Sequence, residues 1–213
     1  MLIYSILILS GCFNGQTPAE QLFNKLEEVV QIEKNFEAQQ EPLVELEKKE
    51  KDIYQSIIDL NMQEYDEVVR LADEAISITE KRKEHIDKER ESMKESKVEF
   101  ESVPEIIKEI EESELRKQAT ELNDLMQERY RIHEELYNSY SEGLVNDAEL
   151  YNLFKNEEVT IEALGQQINK VNAAYEKVMK SNEKFNEVTE QYNEKKLKFY
   201  EDAGLNIQTD RNE

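Results

Sequence analysis

The spacing of apolar residues near the C-terminal end constrains this chain most. Ile161, Leu164, Ile168, Val171, Tyr175, Val178, Asn182, Phe185, Val188 or Thr189, Tyr192 and Phe199 recur mostly at alternating steps of three and four. That pattern holds one face of an α-helix apolar and lets its side chains seat as knobs between those of a neighbour. A stripe of this kind must be buried against other elements. Thr160 is placed to cap the helix. Asn182 falls in the seam, where a polar residue can fix register.

The same reading extends upstream. Thr17-Pro18-Ala19-Glu20 is a start signature: a capping hydroxyl, Pro at the first helical position and a Glu to close a capping box. Leu22, Leu26, Val29, Phe36, Leu43, Leu46, Ile53, Ile57 and Leu60 follow at helical spacing, and Pro42 is expected to interrupt and kink that helix. A second helix is expected over about 64–101, strongly apolar at its start. Between Thr79 and Ser92 only Ile86 is aliphatic, while Arg82, His85 and Glu89 fall near the seam. A thinly packed or wet layer is predicted there. Ser102-Val103-Pro104-Glu105 is another start signature. The third helix reads Leu115, Ala119, Leu122, Met126, Tyr130, His133, Tyr137 and Tyr140, and is expected to stop at Glu142-Gly143. A short helical connector over 147–155 would then lead to the last helix.

At residues 100–104 the chain either turns or continues as one kinked helix over 64–142. The continuous helix would be about 118 Å long and could not bury its stripe against helices half its length. The turn is therefore expected. The predicted fold is all-α: an elongated, antiparallel, up-and-down bundle of four long helices over 17–204, followed by a disordered tail over 205–213. The alternative is a three-helix bundle with one kinked long helix. Charged residues at 36%, five Gly, three Pro and no Trp agree with a helical, surface-rich chain.

The N-terminus carries a different signal. An apolar run from Leu2 to Leu9 ends in Leu9-Ser10-Gly11-Cys12, which holds the one cysteine in the sequence. A run of eight residues, seven of them apolar, cannot span a bilayer, which takes about 20, but it matches the core of a secretory signal. Leu9, Ser10, Gly11 and Cys12 read as a lipobox. The Cys12 thiol would receive a diacylglyceryl group, residues 1–11 would be removed, and 12–16 would tether the bundle to the membrane. A signal peptide should begin with Lys or Arg, but Met1-Leu2-Ile3-Tyr4 has neither and the first basic residue is Lys25, so a start further upstream is expected. With one cysteine there is no internal disulfide and no thiolate metal site.

The run from Cys12 through acidic heptads to Asn182-Glu183-Lys184-Phe185-Asn186 and Phe199-Tyr200-Glu201-Asp202-Ala203-Gly204-Leu205-Asn206 resembles the YkyA-type lipoproteins of Bacillus and its relatives. A cell-wall-binding role is attributed to that family. The resemblance covers nearly the whole mature chain. It implies a Gram-positive surface lipoprotein on the outer face of the cytoplasmic membrane, facing the wall, with Cys12 as its modified residue.

Catalytic chemistry finds little support in the residues. A di-iron bundle needs Glu three residues before each His; Arg82 and Tyr130 stand there before His85 and His133. His133-Glu134-Glu135-Leu136-Tyr137 lacks the second His of a zinc protease. Both histidines read as ordinary seam residues. Glu27-Glu28, Glu111-Glu112 and Glu157-Glu158 read as solvated faces, and nothing in the sequence signals a shaped cleft. No cofactor and no metal site are expected. A net charge of −22 repels nucleic acid and anionic headgroups.

One cluster stands out. Tyr137, Tyr140, Tyr151 and Phe154 bracket the expected third connection, at the end of the rod away from Cys12. Tyr137 and Tyr140 continue the core stripe; Tyr151 and Phe154 are candidates for a distal contact surface. The sequence thus reads as a non-catalytic envelope module, fastened to the membrane through lipid on Cys12. Its expected partner is peptidoglycan, another wall polymer or an envelope protein. A scaffold for another envelope protein, a wall hydrolase or its activator, and a divalent-cation buffer are the alternatives.

Overall fold

A capping box starts the bundle. Thr17 Oγ1 accepts a hydrogen bond from the Glu20 amide at 3.2 Å, and Glu20 Oε2 accepts one from the Thr17 amide at 2.6 Å. The structure is a computed structural model that describes residues 15–60 and 64–205. Leu9, Ser10, Gly11, Cys12 and the tail beyond 205 lie outside the described residues.

Helix α1 spans Pro18–Asp59, α2 Tyr65–Phe100, α3 Val103–Glu109, α4 Ser113–Phe154 and α5 Ile161–Asp202. No strand occurs among the described residues. The chain turns after Phe100, so the four-helix arrangement holds and the kinked three-helix alternative does not. The turn contains the short α3, whose Val103 and Ile107 are buried. Helices α1, α2, α4 and α5 alternate in direction. At 1.5 Å per residue, the long helices make a rod about 60 Å in length.

Three local expectations need correction. Pro42 does not interrupt α1, which continues to Asp59. The ring removes one backbone donor, but Gln39 and Leu43 on either side are buried and hold the helix in place. Gly143 does not end the third long helix. It lies inside α4, buried, and Gly204 is the described residue with positive φ. Its value is close approach: a Cβ there would lie 3.2 Å from Tyr175 Cζ. The connector helix over 147–155 is consequently the last part of α4. Asn182 is not buried in a seam; it is exposed on one wall of the cleft described below.

The helices pair as two hairpins. Helix α1 packs along α2, α4 packs along α5, and α2 joins α4, whereas α1 and α5 have no comparable backbone packing. Side chains do close that fourth seam near the N-terminus of α1. Phe23 meets Tyr200 at 4.7 Å between ring centroids, and the Tyr200 hydroxyl donates to Glu27 at 2.8 Å. The main apolar core lies at this end, around Leu22, Leu26, Phe100, Leu122, Met126 and Phe199. A second cluster surrounds Ile53, Ile57, Ala72, Ala75 and Ile78 at the far end. A small one, with Leu43, Ile86, Tyr140 and Leu144, lies between.

Because Gly143 admits the Tyr175 ring, a branched side chain there must displace it. Gly143→Leu is expected to lower stability by about 1–3 kcal/mol, read as a lower midpoint in urea unfolding.

Candidate functional site

Beyond Phe36 and Phe185, whose rings are 5.7 Å apart, α1 and α5 separate. They leave a cleft of about 910 Å³, walled by α1 and α5 and floored by α2 and α4. Its α1 wall runs from Phe36 to Tyr54, about 27 Å at the helical rise. Leu43, Ile86, Ile168, Val171 and Val178 give it apolar sides. Val44 and Met179, 63% and 71% exposed, stand at its rim.

The floor is polar because the middle of α2 is polar. Arg82 is 3% exposed. Its Nη1 donates to Glu50 at 2.5 Å and to Asp147 at 3.4 Å; its Nη2 reaches Glu47 at 3.5 Å. Nη2 also donates to the Tyr140 and Tyr175 hydroxyls at 2.8 and 2.9 Å. Tyr140 in turn donates to Glu47 and Tyr175 to Asp147. This layer draws on all four long helices. A second layer repeats the plan nearer the N-terminus of α1. Arg129 donates to Glu33 at 2.7 Å and to Thr189 at 2.9 Å, and Ser96 donates to Glu33 at 2.6 Å. Between the layers, Glu89 accepts from Gln40 at 2.5 Å, and His133 sits 5.6 Å from both Phe36 and Phe185.

Burial sets the protonation of these groups. It raises Glu89 to about 8, with Glu47 adding repulsion. It raises Asp147 to about 7, where the Glu50 charge adds to the effect and Tyr175 and Arg82 oppose it. Glu50 is also raised by burial, against the pull of Arg82. His133 falls to about 4 through burial and the charge of Arg129, so it is neutral near pH 7. Carboxyl groups that keep their protons near neutrality can donate as well as accept hydrogen bonds.

Where a thinly packed or wet layer was expected around Arg82, His85 and Glu89, the structure has a polar layer, with His85 Nδ1 2.8 Å from Gln39 Oε1 at its edge. The expected absence of a shaped cleft is corrected. The carboxylates that line it, Glu37, Glu47, Glu50, Glu89 and Asp147, are not the adjacent acidic pairs picked out in the sequence.

Of the expected aromatic set, Tyr137, Tyr140 and Tyr151 lie on the lining of this cleft and Phe154 does not. Tyr140 is buried in the Arg82 layer, and Tyr151 is 3% exposed among Ile53, Ile57 and Ala75. Phe154 is half-buried, 6.3 Å from Tyr54. Tyr137 is clamped from α2: Arg90 stacks 4.2 Å from its ring centre, and its hydroxyl donates to Asp87 at 2.8 Å. Since α4 runs on to Phe154, these residues belong to a packed helix instead of an exposed connector.

The arrangement defines an all-α rod of two hairpins with one open seam, among whose described residues no helix is long and apolar enough to cross a membrane. Residues 17–202 match the family model described as "Putative cell-wall binding lipoprotein", YkyA. The chain is 38% identical over 201 residues to "Uncharacterized lipoprotein YkyA" of Bacillus subtilis (strain 168), covering 94% of this chain and 90% of that one. It belongs to the YkyA family of lipoproteins. A crystal structure of a conserved protein of unknown function from Staphylococcus aureus shares the fold, with a TM-score of 0.75 at 16% identity, over 88% of this chain and 97% of that one.

The buried acids give stability a definite pH dependence. Between the ordinary carboxyl value of 4.5 and about 8, folded Glu89 keeps a proton that the unfolded chain has released. Its contribution is therefore full below 4.5 and is lost as pH rises through about 8. Asp147 acts in the same sense up to about 7, whereas His133 favours folding increasingly from about 4 to 6.5. Glu89→Gln keeps the shape and removes the ionisation. It is expected to stabilise the protein by roughly 1–3 kcal/mol at pH 9 and to change little at pH 5, as measured by thermal unfolding at both.

Breaking the Arg82 layer has a larger effect. Arg82→Ala leaves Glu50 and Asp147 buried without their cation, and a loss of about 3–5 kcal/mol is expected in chemical unfolding.

Proposed function

We propose that this protein is a non-catalytic binding module of the cell envelope, fastened by lipid on Cys12 to the outer face of the cytoplasmic membrane. It takes its wall or envelope ligand in the cleft between α1 and α5. The observation that carries this reading is the open seam. Three helix pairs pack along their length, while α1 and α5 part around a cleft with a polar floor and apolar sides. The family description supports a lipoprotein with a wall-directed role, and the name of the Bacillus subtilis relative supports a lipoprotein.

The geometry suits such a role. A tether from Cys12 to Thr17 spans at most about 18 Å. The cleft begins at Phe36, about 28 Å along α1 from its cap. A rod standing on its anchored end thus holds the cleft clear of the headgroups. The proposed contact site thus moves from the tip of the rod to the cleft, whose lining includes Tyr137, Tyr140 and Tyr151.

A second reading is favoured by one observation: several carboxyl groups, Glu47, Glu50, Glu89 and Asp147 among them, line one cleft, and glycoside hydrolases work with a pair of carboxyl groups flanking the bond they cleave. A zymogram with purified protein separates the two, and clearing of the wall substrate would replace the binding module with a hydrolase.

The direct test is retention of purified chain on Gram-positive sacculi, with and without teichoic acid, in calcium or in chelator. Binding to bare sacculi is expected. Val44→Glu with Met179→Glu alters two exposed rim positions and leaves the core intact, and it is expected to abolish retention. Unchanged retention in that double variant would remove the cleft from the mechanism.

A further inference from the structure

The cleft lining carries fewer cations than carboxyl groups: Lys51, which is exposed, Arg82 and Arg129 stand against Glu37, Glu47, Glu50, Glu89 and Asp147. Arg82 is shared among three carboxylates: Glu50 at 2.5 Å, Asp147 at 3.4 Å and Glu47 at 3.5 Å. Arg129, the other buried guanidinium on the lining, is committed to Glu33 at 2.7 Å. Glu89 forms no ion pair among the described residues. The residue is 8% exposed, and its carboxyl has the Gln40 amide as a hydrogen-bond donor. Glu47 is close enough to repel it and keeps 43% of its side chain in solvent. A buried carboxylate without a counter-charge is costly, and a ligand cation would supply what the protein omits.

The surroundings select the kind of cation. Among the described residues no three acidic or histidine groups are arranged to hold a metal ion. The approach to Glu89 is apolar. Ile86 is one helical turn from it on α2, and Leu43 is one turn from Gln40 on α1; both are buried in the same small cluster against Val178. An amine held directly on a sugar ring cannot lay apolar surface along that wall. A four-carbon arm can, because a lysine stem packs on apolar surface while its head stays charged.

We propose that the cleft receives the lysine-type alkylammonium arm of a peptide, with its stem along Leu43 and Ile86 and its charge set between Glu89 and Glu47. This deepens the binding-module reading and rests on the cleft being the binding site. Burial and the neighbouring Glu47 disfavour the charge of Glu89, and an ammonium would offset both.

The test is calorimetric titration of the full chain with acetyl-Ala-Lys-Ala-amide, against the same peptide acetylated on the lysine Nζ and against its norleucine counterpart. The lysine peptide is expected to bind at least about tenfold more tightly than either control. Glu89→Gln and Glu47→Gln are each expected to reduce that preference by about tenfold, whereas Glu45→Gln, on an exposed part of α1 outside the lining, leaves it unchanged. Glu47 is partly exposed, so its variant keeps the test decisive if Glu89→Gln perturbs folding. Equal binding of the three peptides, no binding of the lysine peptide, or full preference in both glutamine variants would overturn the proposal. Loss of sacculus retention in the rim variant without any lysine preference overturns this inference alone. Lysine-peptide binding by a chain that ignores sacculi overturns the wall reading and leaves this one standing.

Discussion

A buried guanidinium on α2 determines how far apart the two hairpins stand. Arg82 has Glu47 and Glu50 of α1 on one side, Tyr140 and Asp147 of α4 on another, and Tyr175 of α5 on a third. A charge removed from water needs its hydrogen bonds met and its counter-charge close. Those demands fix the distance from α1 to α5, although the two helices scarcely pack together there. Gly143 is part of the same constraint. A Cβ at this position would press on the Tyr175 ring, whose hydroxyl meets Arg82 and Asp147.

Apolar burial and polar layers divide the work between them. Near the N-terminus of α1 the core is continuous, and aromatic contacts between α1 and α5 close the seam. Further along, Leu164, Ile168, Val171 and Val178 of α5 are only partly buried. Their stripe faces a cleft instead of a helix. Burial of that stripe against α1 would add hydrophobic stabilisation, but it would enclose Glu47, Glu50, Glu89 and Asp147 together against too few cations. Electrostatic cost thus opposes closure where apolar area favours it, and the open seam is where the first outweighs the second.

Much of this architecture was legible in local pattern. Thr17, Pro18 and Glu20 announced α1, Thr160 capped α5, and the length argument at residues 100–104 required a turn. The middle of α2 pointed to a thinly packed or wet layer, and the layer found there is polar, because Arg82 and Glu89 occupy seam positions where Ile86 alone is aliphatic. What escaped was the relation between helices. Gly143 looks like a stop signal until Tyr175, thirty-two residues later, is known to lie against it. Asp147 and Tyr140 looked like a connector acid and an end-stripe ring, because their partner Arg82 is distant in sequence. A heptad stripe predicts that α5 packs. It does not say whether one neighbour or two cover it, and the cleft lies in that difference.

The Staphylococcus aureus structure sharpens the same distinction. At 16% identity and a TM-score of 0.75, the likeness carries the architecture alone. Helix length, cap and apolar period can be preserved through wide substitution, because many residues satisfy each of them. A buried charge cannot be exchanged so freely. Its partners must change with it, or a carboxylate is left in the interior without a cation. The fold of this family member is therefore held by a pattern many sequences share. The chemistry of its cleft is held by a small set of coupled residues around Arg82 and Glu89, and likeness of fold alone does not transfer it.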